Sequence, residues 1–193
     1  GAARKNRRGN GALLRGGKNR GPTHEAAEEV TDYGKLLRTL ADGRVDFILI
    51  GGFAATVHGS ARFTQDVDIV YSRDPANLER VVKTIKPLKP YLRGAPAGLP
   101  FEWSGATLKA GLNFTLVTSA GDLDILGEIV GGGSYDALLP HTITIPLFDR
   151  RVRVLDLAWL IRVKRAAGRP KDLEALAELE ALQEESGGGD RQG

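Results

Sequence analysis

Residues 45–71 read VDFILIGGFAATVHGSARFTQDVDIVY, and the reading of this stretch decides the fold. Val45–Ile50 is a run of mostly branched apolar residues, the composition of a buried strand. Gly51 and Gly52 end it in a tight turn, and FAATVHG continues as a short helix. Asp66–Tyr71 is a second apolar strand, yet it holds two aspartates one residue apart. Residues i and i+2 of a strand share a face, so Asp66 and Asp68 project together while Val67 and Ile69 face apolar packing. Two carboxylates this close repel, and one must raise its pKa unless something joins them. A divalent cation does so, because hard ions take oxygen donors. The competing arrangement is an ion pair with Arg62 or Arg73 at a strand end.

The two glycines bear on that choice. Backbone N–H groups at a strand-to-helix turn without side chains can approach a phosphate closely. Phosphate beside metal-binding carboxylates is the geometry of metal-assisted phosphoryl or nucleotidyl transfer.

Outward from this stretch, residues 25–41 show helical spacing at Val30, Tyr33, Leu36, Leu37 and Leu40. DPANLERVVKTI is a helix with Asp74 as N-cap and Pro75 at its first position. Residues 86–105 are rich in Pro and Gly and read as a loop, a candidate flap. Strands are expected at residues 112–118 and 123–129, a turn with a short helix at 131–140, and a hairpin from HTITIPLF and RVRVL. Asp156 caps LAWLIRVKRAAG, and a second helix follows Pro170. The order implies an α+β protein, a mixed sheet with helices packed on it and a helical pair at the C-terminal end.

Of 193 residues, 41% are hydrophobic and only 6% aromatic, so one domain with an aliphatic core is expected over residues 25–185, its helical pair at 156–185. The absence of cysteine excludes disulfides and thiolate metal sites. No apolar run is long enough to span a bilayer, and the basic start lacks the apolar core of a secretory signal. A soluble cytoplasmic protein with no membrane partner is the expectation. Residues 1–22 hold seven Lys or Arg and no acid; removing those seven from the net +3 leaves −4 for the rest. Residues 1–24 are expected as a disordered basic tail, a candidate contact for RNA or another polyanion, and 186–193 as a second disordered tail.

Taken together, LIGGFAATVHGSARFTQDVDIV (49–70) resembles the signature of the nucleotidyltransferase superfamily, the polymerase-beta-like fold: apolar strand, Gly-Gly, helix, then D-x-D on the next strand. Thirteen residues separate Gly52 from Asp66, inside that family's window. HGSARFTQDVD is similar to small bacterial members, among them those of abortive-infection and toxin–antitoxin systems. LIRVKRAAGRPKDLEAL (160–176) resembles their helical end.

The resemblance implies a third carboxylate on a neighbouring strand, acting as base toward the attacking hydroxyl. GDLDILGEI offers Asp124, with Asp122 as second choice. It implies that Asp66, Asp68 and Asp124 hold two Mg²⁺ ions, with Mn²⁺ as a substitute. An NMP then passes from an NTP to a hydroxyl acceptor on a tRNA, a partner protein or a small molecule, with loss of pyrophosphate. Gly51 and Gly52 would meet the phosphates through their backbone, with Arg62, Thr64 and Lys164 (Lys171 nearby) as further nucleotide contacts. A catalytically silent antitoxin or binding protein of the same fold is the other function class, and an RNA-binding module using the basic tail a third. His58 has no second ligand at metal spacing and reads as structural or substrate-lining. Trp159 falls on the apolar face of its helix, and Trp103 is a candidate for base stacking.

Overall fold

The computed structural model describes residues 30–96 and 98–188. The basic tail expected at 1–24, the helical start expected at 25–29, and residues 189–193 lie outside the described residues. In chain order the elements are α1 (Tyr33–Asp42), β1 (Phe47–Ile50), α2 (Gly51–Val57), β2 (Asp66–Tyr71), α3 (Pro75–Ile85), β3 (Tyr91–Leu92), α4 (Gly105–Ala110), β4 (Asn113–Thr118) and β5 (Gly121–Leu126). They continue with β6 (Glu128–Ile129), β7 (Gly133–Ser134), α5 (Tyr135–Leu138), β8 (Thr142–Leu147), β9 (Arg150–Leu155), α6 (Leu157–Ala167) and α7 (Pro170–Gly188).

Seven strands form one mixed sheet in the order β3-β4-β5-β2-β1-β9-β8, and β6 and β7 pair separately. Its centre is two parallel pairs set antiparallel to each other: β1 runs antiparallel to β2, β2 parallel to β5, and β1 parallel to β9. β1 is buried at every position, as a strand covered on both faces must be. β2 and β5 instead alternate, with Val67, Ile69, Leu123 and Ile125 fully buried between half-exposed aspartates. α1 packs on β9 and against α3, while α6 lies against both α2 and α7. No helix among the described residues is long and apolar enough to cross a membrane.

Local signals explain most boundaries. The Asp74 carboxylate accepts from the Ala76 N–H ahead of Pro75, and Asp156 accepts from Trp159, so both caps stand where expected. The β8–β9 hairpin turns through Phe148 and Asp149, both at positive φ, which matches the right-handed strand twist.

Three expectations are corrected. Helix α1 begins at Tyr33, because Asp32 caps it through the Lys35 N–H, and Val30 stands exposed ahead of it rather than on its apolar face. Helix α7 continues to Gly188, into the segment expected as tail. The segment 86–105 is not a free flap. It adds the edge strand β3 to the sheet, and the Tyr91 hydroxyl donates to the carbonyls of Pro96 and Leu99. Trp103 anchors its far end, donating from Nε1 to the Val82 carbonyl at 3.1 Å and packing edge-on to Phe114.

Candidate active site

Parallel pairing of β2 with β5 places Asp66 opposite Asp122 and Asp68 opposite Asp124. Both strands turn their odd-numbered residues into the core, so four aspartates share one face at the mouth of the sheet. Carboxylate oxygens of Asp66, Asp68 and Asp124 all lie within 4.8 Å of one another. The residue preferred from the strand pattern, Asp124, is therefore the one that joins the pair. Asp122 stands beside it, one strand pitch nearer the opening.

The glycine turn fits this cluster closely. Gly51 has φ +70°, and a Cβ on it would come within 2.0 Å of the Asp68 Oδ2. A Cβ on Gly52 would come within 2.6 Å of the Thr64 hydroxyl. The absent side chains thus make room for Asp68 and Thr64, and the nearby Gly52 backbone works to lower the Asp68 pKa. Thr64 donates from Oγ1 to the Asp66 Oδ1 at 3.0 Å.

Burial, reinforced by the neighbouring charges of Asp66 and Asp124, pushes the Asp68 carboxyl up to about 7, against the opposing effects of Lys171 and the Gly52 backbone. Asp124 is also raised, by burial first, with Arg93 pulling it down and Asp66 pushing it up. Burial and the Asp66 charge raise the Tyr33 hydroxyl. Asp68 and Asp124, whose charged forms are disfavoured first by burial, are carboxylates that a cation would stabilise.

Sequence reasoning missed the cation that is present. Arg93, just after β3, donates from Nη2 to both oxygens of Asp124, at 2.7 and 2.9 Å, and from Nη1 to Asp122 at 2.7 Å. The same Nη2 lies 3.9 Å from Asp66. Burial lowers the Arg93 pKa less than its hydrogen bond to Asp122 and the charges of Asp124, Asp122 and Asp66 raise it. Neither Arg62 nor Arg73 plays this part. Arg62 pairs with Glu174 and Glu178 of α7 at 3.6 Å each, and Arg73 is spent on the Tyr71 hydroxyl and the carbonyls of Leu108, Lys109 and Gly111. No local pattern marks Arg93, because β3 reaches β5 only through β4.

Thr31 and Tyr33 were equally invisible. Thr31 donates to the Gln65 carbonyl and accepts from the Asp122 N–H at 3.1 Å, pinning the entries of β2 and β5 to each other. The Tyr33 hydroxyl donates to the Thr64 carbonyl at 2.5 Å, and its ring stacks on Phe53 of α2 at 4.6 Å. The start of α1 therefore braces both the D-x-D strand and the glycine helix.

Lys164 does not stand free for a nucleotide. It is buried and pairs with Asp172 at 3.3 Å, and Arg169 closes on the other Asp172 oxygen at 2.5 Å. Besides Arg93, which acts on Asp124, Lys171 works to lower the Asp68 pKa, and Arg169 is itself raised, first by its hydrogen bond to Asp172 and in smaller part by Asp68 and Asp66. His58 lies with Nε2 2.8 Å from the Leu155 carbonyl, so that nitrogen carries the proton and the residue ties α2 to β9. Trp159 is only half-buried, stacked between His141 at 3.8 Å and the Arg162 guanidinium at 4.3 Å. Trp103, engaged in packing, is not free to stack on a base.

Comparison with solved structures decides the architecture. The lincosamide antibiotic adenylyltransferase LnuA in its lincomycin-bound form superposes with a TM-score of 0.53 at 15% identity, covering 80% of this chain and 99% of that one. A protein of Thermotoga maritima assigned to the nucleotidyltransferases superposes at 0.50 and 14% identity, covering 76% and 91%. The chain has the nucleotidyltransferase fold. In nucleotidyltransferase terms, β1, α2 and β2 are the strand, glycine helix and D-x-D strand of the signature, and α6 with α7 is the helical pair. No family model matches the sequence, and comparison with curated proteins finds no match.

Proposed function

We propose that this protein transfers an NMP from an NTP to a hydroxyl acceptor and releases pyrophosphate. The observation that carries the reading is the convergence of Asp66, Asp68 and Asp124 to within 4.8 Å beside a glycine turn shaped to admit them. Three carboxylates on rigid, hydrogen-bonded strands are a hard-oxygen donor set of the kind Mg²⁺ or Mn²⁺ takes. Bound there, two such ions would neutralise triphosphate charge and polarise the reacting phosphoryl group. Asp66, held by the Thr64 hydroxyl, and Asp68, seated in the space left by Gly51, would be ligands. Asp124, its pKa raised by burial, would accept the acceptor's hydroxyl proton. The Gly51 and Gly52 backbone and the Thr64 hydroxyl would meet the triphosphate, and Lys171, whose charge already acts on Asp68, would take the role expected of the withdrawn Lys164.

The acceptor belongs to one of three classes: a tRNA, a partner protein such as that of a toxin–antitoxin pair, or a small molecule. LnuA is a lincosamide adenylyltransferase, so lincosamides belong among the small molecules tested. The assay is incubation with Mg²⁺ and each labelled NTP, offering tRNA, cognate proteins, aminoglycosides and lincosamides. Asp66→Ala and Asp68→Ala must abolish the label. A wild type that binds neither NTP nor divalent metal overturns the reading.

One observation favours the second reading, a silent binding protein of this fold. Arg93 pairs with both Asp122 and Asp124 without any metal, so the carboxylates could persist in a site that performs no chemistry. Retention of full partner binding by the Asp66→Ala, Asp68→Ala double variant, with no transfer by the wild type, would select it.

A further inference from the structure

Arg93 is bound in the place where a cation would do its work. Its Nη2 contacts both oxygens of Asp124 at 2.7 and 2.9 Å and lies 3.9 Å from Asp66, two of the three carboxylates that converge. A guanidinium keeps its charge at any working pH, so this positive charge does not titrate away. A divalent ion shared by Asp66, Asp68 and Asp124 would stand within a few ångströms of it. At that separation, even with an effective dielectric of about 20, the repulsion is several times the thermal energy. The ion and the guanidinium therefore compete for the same acidic edge.

A nucleotide changes the balance. Its triphosphate brings negative charge, and the planar fork that now grips Asp124 fits a phosphate equally well. The move asks little of the fold. The Arg93 backbone N–H donates to the Thr115 carbonyl at 2.9 Å, and Leu92 pairs with Leu116, so the main chain can stay while the side-chain torsions change. The Arg93 side chain is 29% exposed, which leaves it a path outward.

We infer that Arg93 makes cation loading depend on nucleotide: it holds the acidic edge in the resting protein and, when metal and NTP enter together, leaves Asp124 to take a phosphate oxygen. This inference rests on the nucleotidyltransferase reading and adds to it a positioning residue for the triphosphate.

The test is calorimetric titration of wild type, Arg93→Gln, Arg93→Lys and Asp66→Asn with Mn²⁺. Each is titrated alone and in the presence of α,β-methylene analogues of the four ribonucleotides. Arg93→Gln should bind Mn²⁺ alone at least about tenfold more tightly than wild type, since the competing charge is gone. It should bind the best analogue with Mn²⁺ at least about tenfold more weakly. Arg93→Lys, which keeps the charge and guards against a folding defect, should leave Mn²⁺ affinity within about threefold of wild type yet bind the analogue about threefold or more weakly, because an ammonium lacks the bidentate fork. Unchanged Mn²⁺ affinity in Arg93→Gln overturns the inference, as does undiminished analogue binding. If Asp66→Asn loses Mn²⁺ while Arg93→Gln matches wild type, only this inference fails. If Asp66→Asn matches wild type as well, the nucleotidyltransferase reading fails with it.

Discussion

The α-carbon of Gly51 abuts the carboxylate of Asp68: at φ +70°, any Cβ there would lie 2.0 Å from Oδ2. Gly51 opens α2 directly after β1, and Asp68 sits in the middle of the neighbouring strand β2, with Ile50 opposite it in the register. The glycine is required twice, by its backbone conformation and by the space the carboxylate fills.

Gly51→Ala should therefore be more damaging than a turn substitution. Positive φ alone costs about 1–3 kcal/mol in a residue with a Cβ, and the clash adds to it or drives Asp68 out of place. Urea unfolding should show a lower midpoint, and Mn²⁺ titration a lost or weakened site. Wild-type Mn²⁺ binding in Gly51→Ala would show that Asp68 does not need this position.

Asp68→Asn should separate stability from function. It removes a charge pressed against Asp66 and Asp124, so the metal-free protein should melt at a higher temperature than wild type while transfer activity disappears. A lower melting temperature would mean that charge repulsion at Asp68 does not limit the stability of the metal-free protein.

The same carboxyl sets a pH dependence. Its folded-state value of about 7 lies above the unfolded value near 3.8, so the folded protein binds the extra proton between them. Stability contributed by this group is present below about pH 4 and falls as pH rises toward 7. A divalent ion removes that loss by favouring the charged form. Added Mg²⁺ should therefore raise the melting temperature more at pH 8 than at pH 5, measured by differential scanning calorimetry at constant ionic strength. Asp172 acts in the opposite sense and at lower pH. Burial raises it, but Arg169 and Lys164 hold it below its ordinary value, so its contribution is lost only on acidification past the usual carboxylate range.

Asp172→Ala should be severe. Asp172 is 1% exposed and is the partner of buried Lys164. Removing one member of such a pair leaves an uncompensated charge, at about 3–5 kcal/mol. Because it also frees Arg169 at the head of α7, the loss should appear in chemical unfolding of the whole domain. A loss below about 1 kcal/mol would show that Lys164 finds water instead.

Leu123→Ala tests the buried face that holds the aspartates. Leu123 is fully buried between Asp122 and Asp124 on β5, and deletion of such a side chain costs about 2–5 kcal/mol. Where the variant remains folded, its Mn²⁺ affinity should fall with it, since Asp122 and Asp124 lose the anchor between them.

The sequence by itself determined the parts governed by near neighbours. The strand-to-glycine-to-helix turn, the D-x-D strand, the caps at Asp74 and Asp156, and Asp124 between two core residues follow from period, sterics and hydrogen-bonding capacity within a few residues. The tertiary structure decided which charges meet. Arg93 reaches Asp122 and Asp124 across β4, Thr31 bridges Gln65 to Asp122, and Arg62 turns away to Glu174 and Glu178. Lys164 is withdrawn by Asp172, while the charge of Lys171 acts on Asp68. The physical reason is range. Backbone geometry is set by adjacent residues, whereas a long cationic side chain pairs with whatever the sheet order brings within its reach, and that order is a property of the whole chain.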